Sequence, residues 1–290
     1  MYFSPEAQTL DVLTKSGNTD FLEKVKNMRR ISLVLGVCLL LSCVALAQTK
    51  RATKPTGIQS APTTCGADPV LSSDGTDSPQ DLLSPATSAF YTLNAKAGHS
   101  YSIEVWDVLD QTAAVAPTIQ LLASDCMTSV ASMDVTGVDP DLSQGFADRI
   151  SWIQNSNATI NIQVSNPDQN NPYVYQIRVT DTTLYSPRFS TYGGYVTSWG
   201  FTNTTASSLT GTLTVVDTNG SVLATAQLTL PGNTGTFKTT TDLNVPANHA
   251  GSVIFAYVGP AGGVVSDGFM ISPSGNPILP VLFVGKHSYR

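Results

Sequence analysis

Charged side chains are scarce in this sequence. Asp, Glu, Lys and Arg make up 12% of its 290 residues, about half the share of roughly 25% found in soluble domains. From Thr56 onward seven Lys and Arg stand against seventeen Asp and Glu, so this part has a formal charge of −10. Nucleic-acid binding needs clustered Lys and Arg, so the composition predicts no nucleic-acid partner. Ser, Thr, Asn and Gln must provide most of the polar surface.

Catalytic motifs are also missing. The sequence has no His-Glu-x-x-His, no Gly-x-Ser-x-Gly and no phosphate-binding Gly-Lys-Ser/Thr. The histidines His99, His249 and His287 are expected at turns or near the C-terminus, and Glu104 is the only glutamate after residue 47. We therefore predict that the protein is not an enzyme. The alternative is a hydrolase of unfamiliar type, in which a histidine or Glu104 meets a nucleophile in a cleft.

Long apolar runs are absent except for one near the N-terminus. Arg29 and Arg30 precede an apolar run from Ile31 to Val44, and Ala45-Leu46-Ala47 follows as a small-x-small cleavage signal. These are the three parts of a secretory signal peptide, which we place at residues 28–47. The run is slightly shorter than the roughly 20 residues that span a bilayer. The sequence therefore predicts a secreted, periplasmic or cell-envelope protein.

Two alternatives concern membrane attachment. The signal segment could remain uncleaved as an anchor, or Cys43 could be lipidated, because Leu40-Leu41-Ser42 resembles a lipobox in which Leu41 fits poorly. No other membrane contact is expected. Residues 1–27 are interpreted as lying upstream of a true start at Met28, or else as a short polar tail. Residues 48–63 are rich in Lys, Thr, Pro and Ser and predict a flexible linker.

Cysteines are few. Only Cys65 and Cys126 remain after the signal segment, and two cysteines in an oxidising compartment most simply pair. The loop between them holds about 60 residues, and closing it would stabilise the fold by about 4 kcal/mol. A zinc site is the alternative, but no histidine lies near either cysteine in the sequence. We predict the disulfide.

Helical periodicity is absent after Cys65, whereas period-two alternation recurs every 10 to 15 residues or so. The alternation predicts a hairpin around Ala97-Gly98 and another at Asn219-Gly220, a dipeptide that tolerates positive φ. The stretch from Asp134 to Gly145 is polar and is expected to be a loop.

The predicted fold is all-β, with two consecutive antiparallel β-sandwich (jelly-roll or immunoglobulin-like) domains at 64–182 and 184–273. In the tail, 274–290, the apolar run from Ile278 to Val284 could pack as a last strand.

The first predicted domain carries a family resemblance. The stretch from Ser84 to Val105 has an aromatic strand, a small-Gly turn and an alternating strand, and it resembles bacterial pre-peptidase C-terminal (PPC) domains. Thr118–Leu122 and Tyr173–Val179 resemble later strands of that family. The acidic motif that precedes the third strand in the family is absent, and Ala116-Pro117-Thr118 stands in its place.

The second predicted domain is similar to immunoglobulin-like sandwiches of secreted bacterial proteins. Trp199-Gly200-Phe201-Thr202-Asn203-Thr204, followed by the Asn-Gly hairpin, carries this resemblance. Such modules are typically accessory domains with binding, spacing or presenting roles. The resemblance implies no catalytic residues.

Candidate ligand sites are aromatic or acidic. Trp106, Tyr192 and Tyr195 could form an exposed platform that stacks on sugar rings. Asp139 and Asp141 could supply two oxygens to Ca²⁺, or could simply form turns. No other metal or cofactor is expected.

The function that we predict is a non-catalytic binding, adhesive or structural role toward an extracellular or envelope ligand, either glycan or protein. The alternative is a carbohydrate-binding module, which would present a planar strip of exposed aromatic side chains on one sheet.

Overall fold

Strands form nearly all of the regular structure. A computed structural model describes residues 58–66, 69–107, 117–130, 133–137 and 147–285. No α-helix occurs in these ranges, and nineteen strands run through them. The predicted all-β class is confirmed. The predicted signal peptide and Cys43 lie outside the described residues.

Ten strands in the N-terminal part form two sheets. They are β1 (Ile58–Ser60), β2 (Asp74–Asp77), β3 (Gln80–Leu83), β4 (Ser88–Ala95), β5 (Ser100–Asp107), β6 (Thr118–Leu122), β7 (Met133–Gly137), β8 (Ala147–Ile153), β9 (Ala158–Ser165) and β10 (Tyr173–Asp181). The seven-stranded sheet has the order β1-β3-β10-β5-β8-β7, with β2 also paired to β10. The three-stranded sheet has the order β4-β9-β6.

Nine strands in the C-terminal part form two more sheets. They are β11 (Leu184–Ser190), β12 (Val196–Asn203), β13 (Leu209–Asp217), β14 (Val222–Leu230), β15 (Gly235–Thr239), β16 (Ala250–Val258), β17 (Val264–Ile271), β18 (Pro277–Pro280) and β19 (Val284–Gly285). The five-stranded sheet has the order β14-β13-β16-β11-β19 and the four-stranded sheet β15-β12-β17-β18. The apolar tail thus contributes β18 and β19.

Each pair of sheets shares one hydrophobic cluster. In the N-terminal pair, alternate residues of β4 and β5 such as Tyr91, Leu93, Tyr101 and Ile103 are buried together with side chains of β9 and β10. In the C-terminal pair, Trp199 lies in the second cluster, with Phe201 and Phe255 among its neighbours. The period-two pattern produces this arrangement because alternate side chains of a strand point to opposite faces. The described residues nevertheless belong to one compact unit.

The turn at Ala97-Gly98 does not form the predicted hairpin. Strand β4 pairs with β9, whereas β5 pairs with β8 and β10, so the turn carries the chain from one sheet to the other. The physical reason is burial. Crossing between sheets lets the apolar faces of β4 and β5 meet across a shared core, which pairing side by side in one sheet would not achieve. By contrast, the hairpin at Asn219-Gly220 is confirmed, since β13 and β14 pair directly.

The stretch predicted as a loop from Asp134 to Gly145 begins inside strand β7, and its remainder lies outside the described residues. This strand pairs antiparallel with β8 at the edge of the seven-stranded sheet. The prediction gave weight to the aspartates as turn formers and overlooked the short alternation of Met133 and Val135 with polar neighbours. Pairing with β8 then satisfies the backbone groups of the segment, which its local composition could not indicate.

Small hydroxyl residues join the N-terminal and C-terminal sheets. Ser100 Oγ accepts a hydrogen bond from the amide of Tyr257 at 3.2 Å, and Ser151 Oγ donates to the carbonyl of Gly259 at 3.1 Å. Thr182 Oγ1 lies 2.9 Å from Ser100 Oγ. Ser100 and Ser151 are buried. Their short side chains let β16 approach β5 and β8 closely while the hydroxyls satisfy buried backbone groups.

A disulfide joins Cys65 to Cys126, as predicted. The turn that carries Cys126 is held by Asp125, whose carboxylate accepts hydrogen bonds from the amides of Met127 and Thr128 and from the Thr128 hydroxyl. The Thr128 hydroxyl and these amides lower the pKa of Asp125 to about 2. The anion therefore keeps this turn in place at neutral pH. Within the described ranges, no helix is long and apolar enough to cross a bilayer.

Removing the disulfide should weaken the fold strongly. The crosslink spans 61 residues, so replacing both Cys65 and Cys126 with Ser should lower the free energy of unfolding by about 4 kcal/mol. Urea denaturation measures this difference. The parent protein should lose a similar amount on reduction, and the double variant should not respond to reductant. A loss below about 1 kcal/mol would contradict the account.

Candidate functional site

The predicted aromatic platform is spread over separate parts of the fold. Tyr192 lies in a 3-10 turn at Tyr192–Gly194 and is 55% exposed. Tyr195 is half-buried and lines an open cleft of about 430 Å³ together with Val196 and Thr240. The backbone of Trp106 belongs to β5 in the seven-stranded sheet, and its side chain lies outside the described residues. Tyr192 and Tyr195 therefore lie close together just before β12, whereas the Trp106 backbone belongs to the seven-stranded sheet of the N-terminal part.

The predicted calcium ligands Asp139 and Asp141 lie outside the described residues. Of the acidic residues around β2 and β3, Asp77 pairs with Arg178 and Asp81 bonds to Tyr91. No group of three or more His, Cys, Asp or Glu side chains suited to a metal occurs in the part of the chain that the structure describes.

A buried tyrosine network crosses between the N-terminal sheets. Tyr91 on β4 donates to Asp81 Oδ2 on β3, and its hydroxyl lies 2.6 Å from that of Tyr175 on β10. Burial raises the pKa of both tyrosines, and the Asp81 charge raises them further. Both hydroxyls therefore stay protonated and serve as hydrogen-bond donors inside the core. This network connects the two sheets and offers no reactive group to a ligand.

Glu104 lies in a row of alternating charges on four neighbouring strands. Its carboxylate oxygens are 3.7 Å from Arg149 Nη1 and 3.8 Å from Arg178 Nη1. Arg178 in turn contacts Asp77 at 2.7 Å. Each carboxylate in the row thus faces a guanidinium on the next strand. This placement explains Glu104 as a partner in cross-strand pairing.

His99 meets two polar side chains at the joint between the N-terminal and C-terminal sheets. Its Nδ1 lies 2.8 Å from Asp181 Oδ2, and its Nε2 lies 2.9 Å from the Tyr185 hydroxyl. Tyr101 stacks beside the imidazole with ring centroids 6.2 Å apart. Asp181 ends β10 and Tyr185 belongs to β11, so His99 holds the connection between the two halves. The sequence analysis expected His99 only at a turn and missed this role.

The Tyr185 hydroxyl has a base beside it in the His99 cluster, because His99 Nε2 lies 2.9 Å away. Burial raises the pKa of Tyr185, and the nearby Asp181 charge raises it further. A nucleophilic hydroxyl needs a lowered pKa or an adjacent base in a site that admits substrate. Neither the cleft beside Tyr195 nor the one lined by Lys96 and Asn157 includes His99 or Tyr185 in its lining. We therefore interpret the Asp-His-Tyr arrangement as a structural clamp.

His249 holds a second, more exposed contact. Its Nδ1 lies 3.1 Å from Asp217 Oδ2, and its backbone carbonyl accepts a hydrogen bond from Thr191. The Thr218 amide, followed by His249, lowers the pKa of Asp217. This contact ties the turn before β16 to the end of β13. His287 lies outside the described residues.

The outward side of the four-stranded sheet presents exposed apolar side chains. Phe237 on β15 is 71% exposed, and on β17 Val265 is 58% and Phe269 47% exposed. In register, Phe237 lies opposite Gly200, which lies opposite Asp267. We call Phe237, Val265, Asp267 and Phe269 the aromatic face. From strand spacing and rise, the two phenylalanine Cα atoms are about 12 Å apart.

Gly200 lets the aromatic face close over the central strand. A Cβ at this position would lie 2.9 Å from Phe237 Cε1 and 2.8 Å from Asp267 Oδ1. The ring and the carboxylate thus occupy the space above the Gly200 backbone from both sides. The face combines two aromatic rings with one carboxylate, and next to them lies the Thr202 hydroxyl. This combination suits a ligand that has both apolar faces and hydroxyl groups.

Sequence reasoning missed the aromatic face although it predicted the strands that carry it. In β17 the positions on both faces include apolar residues, so the alternation did not show which set points inward. The register with β12 decides this, because Gly268 lies opposite the buried Trp199 and Phe269 opposite Ser198. The one sign of an outward aromatic side chain in the sequence was Phe237, which stands next to Lys238 in a short, polar strand.

The His99 clamp predicts a specific acid sensitivity. Burial alone would raise the pKa of Asp181, but hydrogen bonds from His99 and Thr183 outweigh it and lower that pKa. Asp181 therefore stabilises the fold above its ordinary pKa of about 3.9, and this contribution is lost as the pH falls through the lowered value. His99→Asn should raise the Asp181 pKa and move the acid loss of stability to higher pH. Urea denaturation across pH 2 to 7 or so measures the shift.

The matched control is His249→Asn. The Asp217 carboxylate is less buried than that of Asp181, and its pKa is lowered first by the Thr218 amide. His249→Asn should therefore leave the loss of stability at acid pH almost unchanged. If His99→Asn and the parent protein lose stability over the same range of acid pH, the clamp is contradicted.

No family model, no curated protein and no solved structure matches this chain.

Proposed function

We propose that this chain is an exported, non-catalytic binding protein that acts at the bacterial cell envelope or outside the cell. The signal-like segment at 28–47 supports export. The disulfide between Cys65 and Cys126 supports an oxidising compartment, because such crosslinks are rare in the cytosol. A membrane contact would come only from an uncleaved signal or a lipidated Cys43.

The proposed organisation is a PPC-like β-sandwich at 64–182 followed by an immunoglobulin-like β-sandwich at 184–273. Two hydrophobic clusters that occupy separate stretches of sequence support this division. The hydroxyl contacts between Ser100 and Tyr257 and between Ser151 and Gly259 would then form the domain interface. In this arrangement the second sandwich presents its four-stranded sheet to the ligand.

A non-catalytic role agrees with the surroundings of the polar side chains. His99 is occupied by Asp181 and Tyr185, and Glu104 by two arginines. The partners of His99 and Glu104 thus account for both side chains as structural contacts. The alternative of an unfamiliar hydrolase would need one of these groups to leave its partner and enter a cleft.

The aromatic face carries the proposal for a carbohydrate ligand. Exposed apolar patches on soluble proteins mark interaction sites, and aromatic rings offer flat surfaces to the apolar faces of sugars. On one sheet, Phe237 lies across Gly200 from Asp267, and Phe269 lies two residues along β17 from Asp267. The carboxylate can accept hydrogen bonds from sugar hydroxyls between the two rings. A glycan chain that crosses the strands diagonally would contact all three groups.

Mutation of the aromatic face should weaken glycan binding. A glycan array with the purified protein identifies the best ligand, and titration calorimetry then measures its affinity. Phe237→Ala and Phe269→Ala should each weaken binding about tenfold or more, which corresponds to about 1.4 kcal/mol. Gly200→Ala should also weaken binding, because its methyl group would displace the Phe237 ring and the Asp267 carboxylate.

The matched control is Tyr192→Ala, which removes an exposed aromatic ring that belongs to a 3-10 turn and not to the four-stranded sheet. This variant should keep the parent affinity, and all variants should keep the parent unfolding midpoint. Saturable binding that survives Phe237→Ala and Phe269→Ala would overturn the assignment of the face. If the protein binds no glycan but binds a protein ligand through Phe237, the ligand of the face is a protein and not a carbohydrate.

A further inference from the structure

Strand β14 is an open edge of the five-stranded sheet. It pairs with β13 on one side and with no other strand among the described residues. The strand is nine residues long and contains neither proline nor a charged residue. Long, uncharged edges offer unpaired backbone groups to any other strand, so natural proteins usually protect them.

Other edges of these sheets are protected. Strand β18 contains Pro277 and Pro280, β15 is short and carries Lys238, and β19 has two residues. The edge of β4 is covered by the segment before β2, since Phe90 and Thr92 donate to carbonyls of that segment. Strand β6 is covered by the segment after it, through Val130. Strand β14 has none of these forms of protection.

The backbone groups that face outward from β14 can be identified. The Asp217 amide donates to the Ser221 carbonyl at 2.8 Å, so the amide of Asp217 points toward β14. Backbone direction alternates along a strand, and therefore Val215 and Leu213 also bond toward β14. Their partners Ala224 and Ala226 bond back to β13. The residues between and beyond these, Thr225 and Gln227, direct their amides and carbonyls to the open side.

We propose that two copies of this chain pair antiparallel through β14, with Ala226 of each copy at the two-fold axis. In this register Thr225 of one copy lies opposite Gln227 of the other, and the outward backbone groups of both exchange hydrogen bonds. An isologous contact of this kind closes on itself and produces a dimer. The two five-stranded sheets become one continuous sheet.

The side chains of β14 suit a second copy of the same strand. No charged residue occurs from Thr218 to Phe237, so two copies of this acidic protein meet here without direct repulsion. On the inner face, Ala224 and Ala226 are half-buried against the C-terminal cluster. Their small side chains leave room for the neighbouring strand, and pairing would cover them. On the outer face, Thr225 and Gln227 form a polar pair.

The dimer also deepens the proposed function, on which this consequence rests. A two-fold axis that relates antiparallel strands is perpendicular to their sheet, so both four-stranded sheets lie on the same side of the joined sheet. Both aromatic faces then point the same way. Two equivalent sites of this kind increase the apparent affinity for a repeating polymer without any new contact.

Two double variants test the register. Thr225→Lys with Gln227→Lys places like charges opposite each other across the axis and should convert the dimer to a monomer. Thr225→Lys with Gln227→Glu carries the same first change but places opposite charges together, and it should remain a dimer. Both variants lose the same hydrogen bond from Gln227 to Thr212. Thr225→Pro, which removes an outward amide at an edge that tolerates proline, should also give a monomer.

Sedimentation equilibrium of the purified protein over a wide concentration range measures the mass. The proposal expects twice the chain mass for the parent protein and for the Lys/Glu variant. A monomeric parent protein overturns it, and so does a dimer that survives both the Lys/Lys change and Thr225→Pro. Because no glycan enters this measurement, its failure is distinct from failure of the carbohydrate proposal.

Discussion

The packing of three aromatic side chains between the C-terminal sheets determines the rest of that region. Trp199 and Phe201 on β12 are fully buried, and the ring centroids of Phe201 and Phe255 are 4.4 Å apart. Burial of each such side chain contributes about 1.5–3 kcal/mol. A slip of β12 by one residue would send Trp199 and Phe201 to solvent. The core therefore fixes the register, and the register directs Phe237 and Phe269 outward.

The shortage of charge shapes the remaining surfaces. Where many proteins use lysines and glutamates, this chain uses hydroxyl groups, such as those of Ser100 and Ser151 at the joint between its sheets. Edge strands β4, β6 and β18 are protected by covering segments or prolines rather than by charge. Strand β14 has none of these devices. The same composition thus explains an aromatic face with one carboxylate and an edge suited to a second copy.

Sequence patterns predicted many strands but not how they are arranged in sheets. Thr118–Leu122, which the sequence analysis named as a strand, coincides with β6, and the Asn219-Gly220 signal correctly predicted the hairpin of β13 and β14. The hairpin predicted at Ala97-Gly98 was wrong, because contacts far along the chain decide whether a turn crosses to another sheet. The roles of His99 and the aromatic face were missed for a related reason. His99 meets partners more than 80 residues away, and only pairing with β12 reveals which face of β17 is outward.

Hydroxyl-radical footprinting tests the central claim most directly, because it compares the reactivity of individual side chains with and without ligand. In the free protein, Phe237 and Phe269 should oxidise readily, whereas the buried Phe201 and Phe255 should not. Addition of the best glycan should protect Phe237 and Phe269 and leave Tyr192 unchanged. Protection of Tyr192 with unaltered oxidation of Phe237 and Phe269, or rapid oxidation of Phe201 in the free protein, would contradict the account.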